Sequence, residues 1–290
     1  MRKLFFLLTT VCVSLFIMVN AGSVMAAGFS NENVDIKTDN TAKGYIEIKV
    51  TKATDKQLRV RITKADKNLT YVLRYNKNYY KFPLQLGSGT YGVKVMENAG
   101  GNKYAVLYST DIPATISDPL APFTISHSLV NYDAAPKTVA AAKQITAGSA
   151  SDLDKLEKVY ANVVDTMTYD HAFAAKVTSG QVTSYVPDVD AVYASKKGIC
   201  FDYSAVMASM LRSQGVPTRL VMGYVAPKNI YHAWNEVYIT NVGWVKVRGN
   251  IAVGSNVWTR MDATFASSGG TSDLSSFIGD GTNYKVTDYY

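Results

Sequence analysis

The hydrophobic period changes part-way along this chain, and that change limits what it can fold into. From residue 43 to 130, short runs such as KGYIEIKV, QLRVRITKA, TYVLRYN, GTYGVKVMEN and KYAVLYST alternate polar with apolar or aromatic residues. A period of two belongs to strands with one wet face. The runs are broken by ADKN, GSG and NAGGN, turn chemistry that joins antiparallel neighbours. Residues 28–132 therefore read as an all-β, sandwich-like module. Within it ISDPLAPFTIS, with Pro119 and Pro122, reads as an edge strand or a crossing connection.

Residues 133–151 are small and weakly patterned. They read as a linker, or a linker running into a short helix. Helical spacing then takes over. Ser151 or Asp152 is placed to cap LDKLEKVYANVVDTM, where Leu153, Leu156, Val159, Tyr160, Val163 and Met167 make one apolar stripe. The stretch 171–197 reads as polar and irregular, and residues 200–214 as a second helix stopped by Gly215 and Pro217. TRLVMGYVA, YHAWNEVYI, GWVKVR and VWTRMDATF read as strands. Residues 152–290 are thus expected to form an α+β domain, helices first and an antiparallel sheet after them. The tail TSDLSSFIGDGTNYKVTDYY either completes that sheet or caps a cleft.

Residues 1–27 have the layout of a signal peptide. Arg2 and Lys3 precede the apolar run LFFLLTTVCVSLFIMV, and small residues follow up to Ala26 and Ala27. The expected product is secreted, with a cell-wall association in view and no stable membrane insertion. Loss of Arg2 and Lys3 lowers the formal charge from +7 to +5. The excess is spread along the chain with no basic cluster, which argues against nucleic acid as a partner.

Cys12 leaves with the leader, so the mature chain keeps Cys200 alone and has no internal disulfide. Cys200 is expected to open the second helix. There the helix dipole and free N–H groups favour a thiolate and can receive the oxyanion formed when it adds to a carbonyl. Of the three histidines, His127 reads as a surface or edge residue at a strand end, and His171 lies in a polar stretch. His232 is better placed. Alternation puts it on one strand face with Trp234, Glu236 and Tyr238, and the next strand candidate offers Asp262 as an orienting carboxylate. A zinc site is disfavoured by spacings of 32 and 30 residues between Cys200, His232 and Asp262. A glycosidase reading would lean on Glu236 and Asp262 but leaves the thiol unused. No cofactor or metal is expected; SYVPDVDAV and IGDGTN lack calcium-loop spacing.

The run GICFDYSAVMASMLRSQGVPTRLVMGY, with YHAWNEVYI, GWVKV and MDATF after it, resembles the transglutaminase-like superfamily over about residues 153–270. That superfamily includes bacterial candidate cysteine proteases. The resemblance implies a papain-like core with Cys200 as nucleophile, His232 as general base and acid, and Asp262 as orienting residue. It also implies that Trp234 and Asn235 wall or brace the cleft. Tyr169 and Tyr193 are the candidates for a side chain in the oxyanion hole. The implied activity is acyl transfer on amide bonds of an extracellular protein or peptidoglycan peptide through a thioacyl intermediate, with hydrolysis favoured over cross-linking of Gln to Lys. A noncatalytic binding or scaffold protein is the alternative from another class.

Overall fold

The computed structural model describes residues 29–226, 229–246 and 284–290. The leader 1–27 and the segment VWTRMDATF, with Asp262, lie outside the described residues.

Eight strands make up the first part: β1 (Phe29–Ser30), β2 (Val34–Lys37), β3 (Tyr45–Val50), β4 (Leu58–Lys64), β5 (Lys67–Leu73), β6 (Tyr80–Pro83), β7 (Gly89–Gly100) and β8 (Lys103–Ala114). They form two antiparallel sheets, ordered β1-β2-β3-β6 and β5-β4-β7-β8. Alternate residues of both sheets enter one core, with Ile46, Ile48 and Phe82 from the first and Val60, Ile62, Tyr71, Tyr91 and Val93 from the second. Each large side chain taken out of water there contributes about 1.5–3 kcal/mol. ISDPLAPFTIS is a connection rather than an edge strand. Its centre is a 3₁₀ turn, Ala121–Thr124, that buries Pro122 and Phe123.

The segment 133–151 contains a helix, α1 (Pro136–Ile145), with Pro136 in its first turn. Ala135 and Ala142 join the second core, so this stretch is packed rather than free. Next come α2 (Asp152–Thr166), capped by Ser151, then β9 (Thr168–Tyr169), α3 (His171–Thr178), α4 (Val189–Ser195) and β10 (Lys197–Gly198). The stretch expected to be irregular therefore holds two short helices. Each starts on an aspartate cap: Asp170 accepts Phe173 N–H at 2.9 Å and Asp188 accepts Ala191 N–H at 3.0 Å.

Helix α5 (Cys200–Ser213) is the pivot of the molecule, and every residue from Asp202 to Arg212 is buried. A helix apolar on all sides must be covered on all sides. Val206, Met207 and Met210 pack with α1, α2 and α4, while Ala205 and Ala208 belong to the core of the sandwich. Strands β11 (Thr218–Val225), β12 (Ile230–Ile239), β13 (Gly243–Lys246) and β14 (Tyr284–Tyr289) form an antiparallel sheet ordered β13-β12-β11-β14. The tail thus completes the sheet.

A polar knot joins the two parts. Buried Arg212 donates to the carbonyl oxygens of Thr218 at 2.8 Å, Ile125 at 2.7 Å and Tyr290 at 2.6 Å. Tyr290 Oη donates to Thr70 O at 3.2 Å, and its ring meets Tyr71 edge-on at 5.3 Å. His127 lies beside them. It is not a surface residue but 3 % exposed, with its ring 5.3 Å from that of Tyr71. Tyr71 approaches it from far along the chain, which strand-end reasoning had no means to see.

Candidate active site

Cys200 owes its position to a short parallel pairing and a backward cap. β10 pairs with β9, Gly198 opposite Tyr169, and Asp170 N–H donates to Gly198 O at 2.8 Å. This fixes the approach to α5. Ile199 is extended at the N-cap and offers no side-chain acceptor. The N–H groups of the first turn, at Cys200, Phe201 and Asp202, therefore receive no cap from it and have no partner within the helix. Asp202 turns backward, and its carboxylate accepts Ile199 N–H at 2.8 Å and Tyr185 Oη–H at 2.5 Å. It is 1 % exposed. Burial pushes its carboxyl up, and the two hydrogen bonds oppose that push. Burial and the bond to Asp202 raise the Tyr185 phenol. Gly198 is required here because a Cβ would fall 2.5 Å from that of Asp202.

The helix and β12 are held in register by Asn235, whose Nδ2 donates to Ser204 O at 3.1 Å and to Arg219 O at 3.2 Å. Arg212 binds Thr218, the partner of Val237, at the other end of the helix. α5 therefore runs parallel to β12. Four helical residues rise about 6 Å and two strand residues about 7 Å, so Cys200 comes level with Ala233 and His232.

Residues along β12 divide between two sides. Asn235 and Val237 face the helices, and the His232 and Trp234 rings lie nearly parallel, 18° and 6.4 Å apart. His232 and Trp234 are buried, and Cys200 is partly exposed. Trp234 meets Tyr284 edge-on at 5.0 Å and reaches over Gly223, where a Cβ would lie 2.1 Å from Lys285 O. Glu236 is paired with Arg219 at 3.1 Å, and that guanidinium lies 3.8 Å from the Trp244 ring. Its carboxylate is thereby committed to the sheet.

The structure thus ties the helix of Cys200 to the strand of His232 through Asn235, while Asp262 lies outside the described residues. Tyr193 is turned to α2, its Oη donating to Asn162 at 3.0 Å with Lys196 Nζ 3.2 Å above its ring. Tyr169 packs on the helical core with its ring 4.9 Å from His171. The tyrosine that does reach the start of α5 is Tyr185. Nothing local in its irregular segment marks it, whereas Asp202 at the third helical position was a visible sign of a backward cap. Among the described residues no group of three or more His, Cys, Asp or Glu side chains is arranged to hold a metal. No helix among them is long and apolar enough to cross a membrane.

Residues 139–248 match the family model of the transglutaminase-like superfamily. The chain carries a transglutaminase-like domain. Over 70 residues, 19 % of this chain, it is 34 % identical to YebA of Bacillus subtilis strain 168, a protein of uncharacterised function, and spans 10 % of that relative's length. Among solved structures, a candidate cysteine protease from Cytophaga hutchinsonii aligns over 91 % of this chain and 80 % of its own, with 13 % identity and a TM-score of 0.41. A TGase aligns over 43 % of this chain and 32 % of its own, with 24 % identity and a TM-score of 0.31. The transglutaminase-like match takes in α1 from Val139 onward and ends just past β13, so it includes both Cys200 and His232.

Proposed function

We propose that the transglutaminase-like domain is a cysteine-dependent acyl-transfer enzyme acting on amide bonds. What supports this reading is Cys200 at a helix N-terminus whose cap residue offers no side-chain acceptor to the first-turn N–H groups, in a helix that Asn235 ties to the strand of His232. The Cys200 thiolate adds to the amide carbonyl, and the first-turn N–H groups receive the oxyanion. His232 takes the thiol proton and returns it to the departing amine, leaving a thioester on Cys200. Water then adds to the thioester, and the acid is released with the thiol restored. Asp262 is the orienting partner of His232 in this scheme. Hydrolysis is the favoured outcome; a lysine amine in place of water would give a cross-link from the same intermediate. The leader at residues 1–27 supports action outside the membrane, on surface protein or wall peptide, with the sandwich positioning the catalytic domain at its target.

Native alkylation by iodoacetamide, followed by intact mass, tests the proposal. Near pH 6.5 the folded protein should label at Cys200 about tenfold faster than the denatured chain, and His232→Ala should remove that advantage. Labelling that speeds up only in denaturant would instead support a noncatalytic scaffold.

A further inference from the structure

A second cleft, of about 730 Å³, opens where the sandwich meets the catalytic domain. Its walls come from the 54–57 loop, the end of β5, the 128–134 turn and the 184–189 segment. Three of its charged side chains, Asp55, Arg74 and Asp188, enter no ion pair among the described residues. Asp55 and Arg74 are exposed. Ser128 also lines the cleft. It is 6 % exposed, and its Oγ has no hydrogen-bond partner among the described residues. A buried hydroxyl normally has a partner, and an incoming polar group would supply one. Tyr75 adds a half-buried aromatic wall.

We infer that this cleft binds a short peptide segment bearing charges of both signs. The volume is that of a ligand site. A peptide supplies an ammonium for Asp55 and Asp188, a carboxylate for Arg74, and main-chain groups for Ser128. A neutral glycan would leave the three charges without counter-ions. Between the lining residues Ser184 and Val186 stands Tyr185, whose hydroxyl holds Asp202 and through it the cap of α5. A peptide seated in the cleft therefore presses on the segment that braces Cys200. This last link rests on the amide-directed reading of Cys200, whereas binding itself does not.

The test uses the full chain as Cys200→Ser, so that binding is measured without turnover. Calorimetric titration with a pool of blocked tetrapeptides, each carrying one lysine and one glutamate, should show saturable binding. Arg74→Glu and Asp55→Lys, both at exposed positions, should each weaken it about tenfold. No binding at millimolar peptide, binding indifferent to both substitutions, or binding of neutral tetrasaccharides in place of the peptides would overturn the inference. Failure of native Cys200 labelling with peptide binding intact would remove the enzyme reading and leave the cleft standing; the reverse result would remove the cleft alone.

Discussion

Asp202 accepts the backbone N–H of Ile199 at 2.8 Å, and this one bond closes the turn from which Cys200 projects. Replacing Asp202 with Ala leaves both the Ile199 N–H and the Tyr185 hydroxyl without their acceptor. The expected cost is about 1–3 kcal/mol for each group left unpaired in the interior. Urea denaturation should record the loss, and native labelling of Cys200 should slow with it. Unchanged labelling would separate the cap from the reactivity of the thiol.

Asn235 is expected to tolerate no acidic replacement. Its amide donates to two carbonyl oxygens, those of Ser204 and Arg219, and a carboxylate in its place would face both with the wrong sign. Asn235→Asp should therefore destabilise the fold more than Asn235→Ala, which should cost about 1–3 kcal/mol. Thermal unfolding of the two variants side by side gives the order, and the reverse order would contradict the assigned hydrogen bonds.

Arg212 is a buried charge, and burial lowers its guanidinium to about 10. Its three carbonyl partners belong to separate segments, so Arg212→Met unties all of them at once. A loss of about 3–5 kcal/mol is expected, comparable to breaking a buried charged interaction. Chemical denaturation that shows less than about 1 kcal/mol would mean that the knot is dispensable.

Stability should also depend on His127. Burial, with Arg212 adding to it, holds its imidazole well below 6.5. The unfolded chain therefore takes up a proton that the folded chain refuses. The stabilisation is complete above pH 6.5 and is lost as pH falls from there toward the depressed folded value. His127→Gln keeps an acceptor for Leu129 N–H and has no proton to gain. Its melting temperature should vary less between pH 7 and 5 than that of the parent, and equal slopes would assign the acid sensitivity elsewhere.

The sequence revealed what repeats locally and concealed what meets from afar. The long strands β4, β5, β7 and β8 announce themselves by alternation, and α2 and α5 by an apolar stripe or a clear start and stop. α3 and α4 are short and rich in small residues, so they carry little period, although their Asp caps were in plain view. α1 was legible only as one of two readings, a linker or a linker running into a short helix, since a run of alanines packs without showing a face. At the site, helix start and strand alternation were enough to single out Cys200 and His232. Tyr185 was not legible because its role depends on a loop folding back across 17 residues onto Asp202. His127 was misread because Tyr71, which packs against it, comes from far along the chain and no nearby residue records its approach.

Tyr290 meets Thr70 across 220 residues of chain, and its side chain is part of the core of the sandwich. During synthesis the sandwich strands leave the ribosome long before this residue exists. At ~5–20 residues per second, Tyr71 waits on the order of ten seconds or more for the ring that covers it. The first module to be made is thus among the last to be sealed. Until then its exposed aromatic end is a natural site for chaperone capture, and translation speed over the second half of the message becomes a determinant of how much of the first half folds correctly.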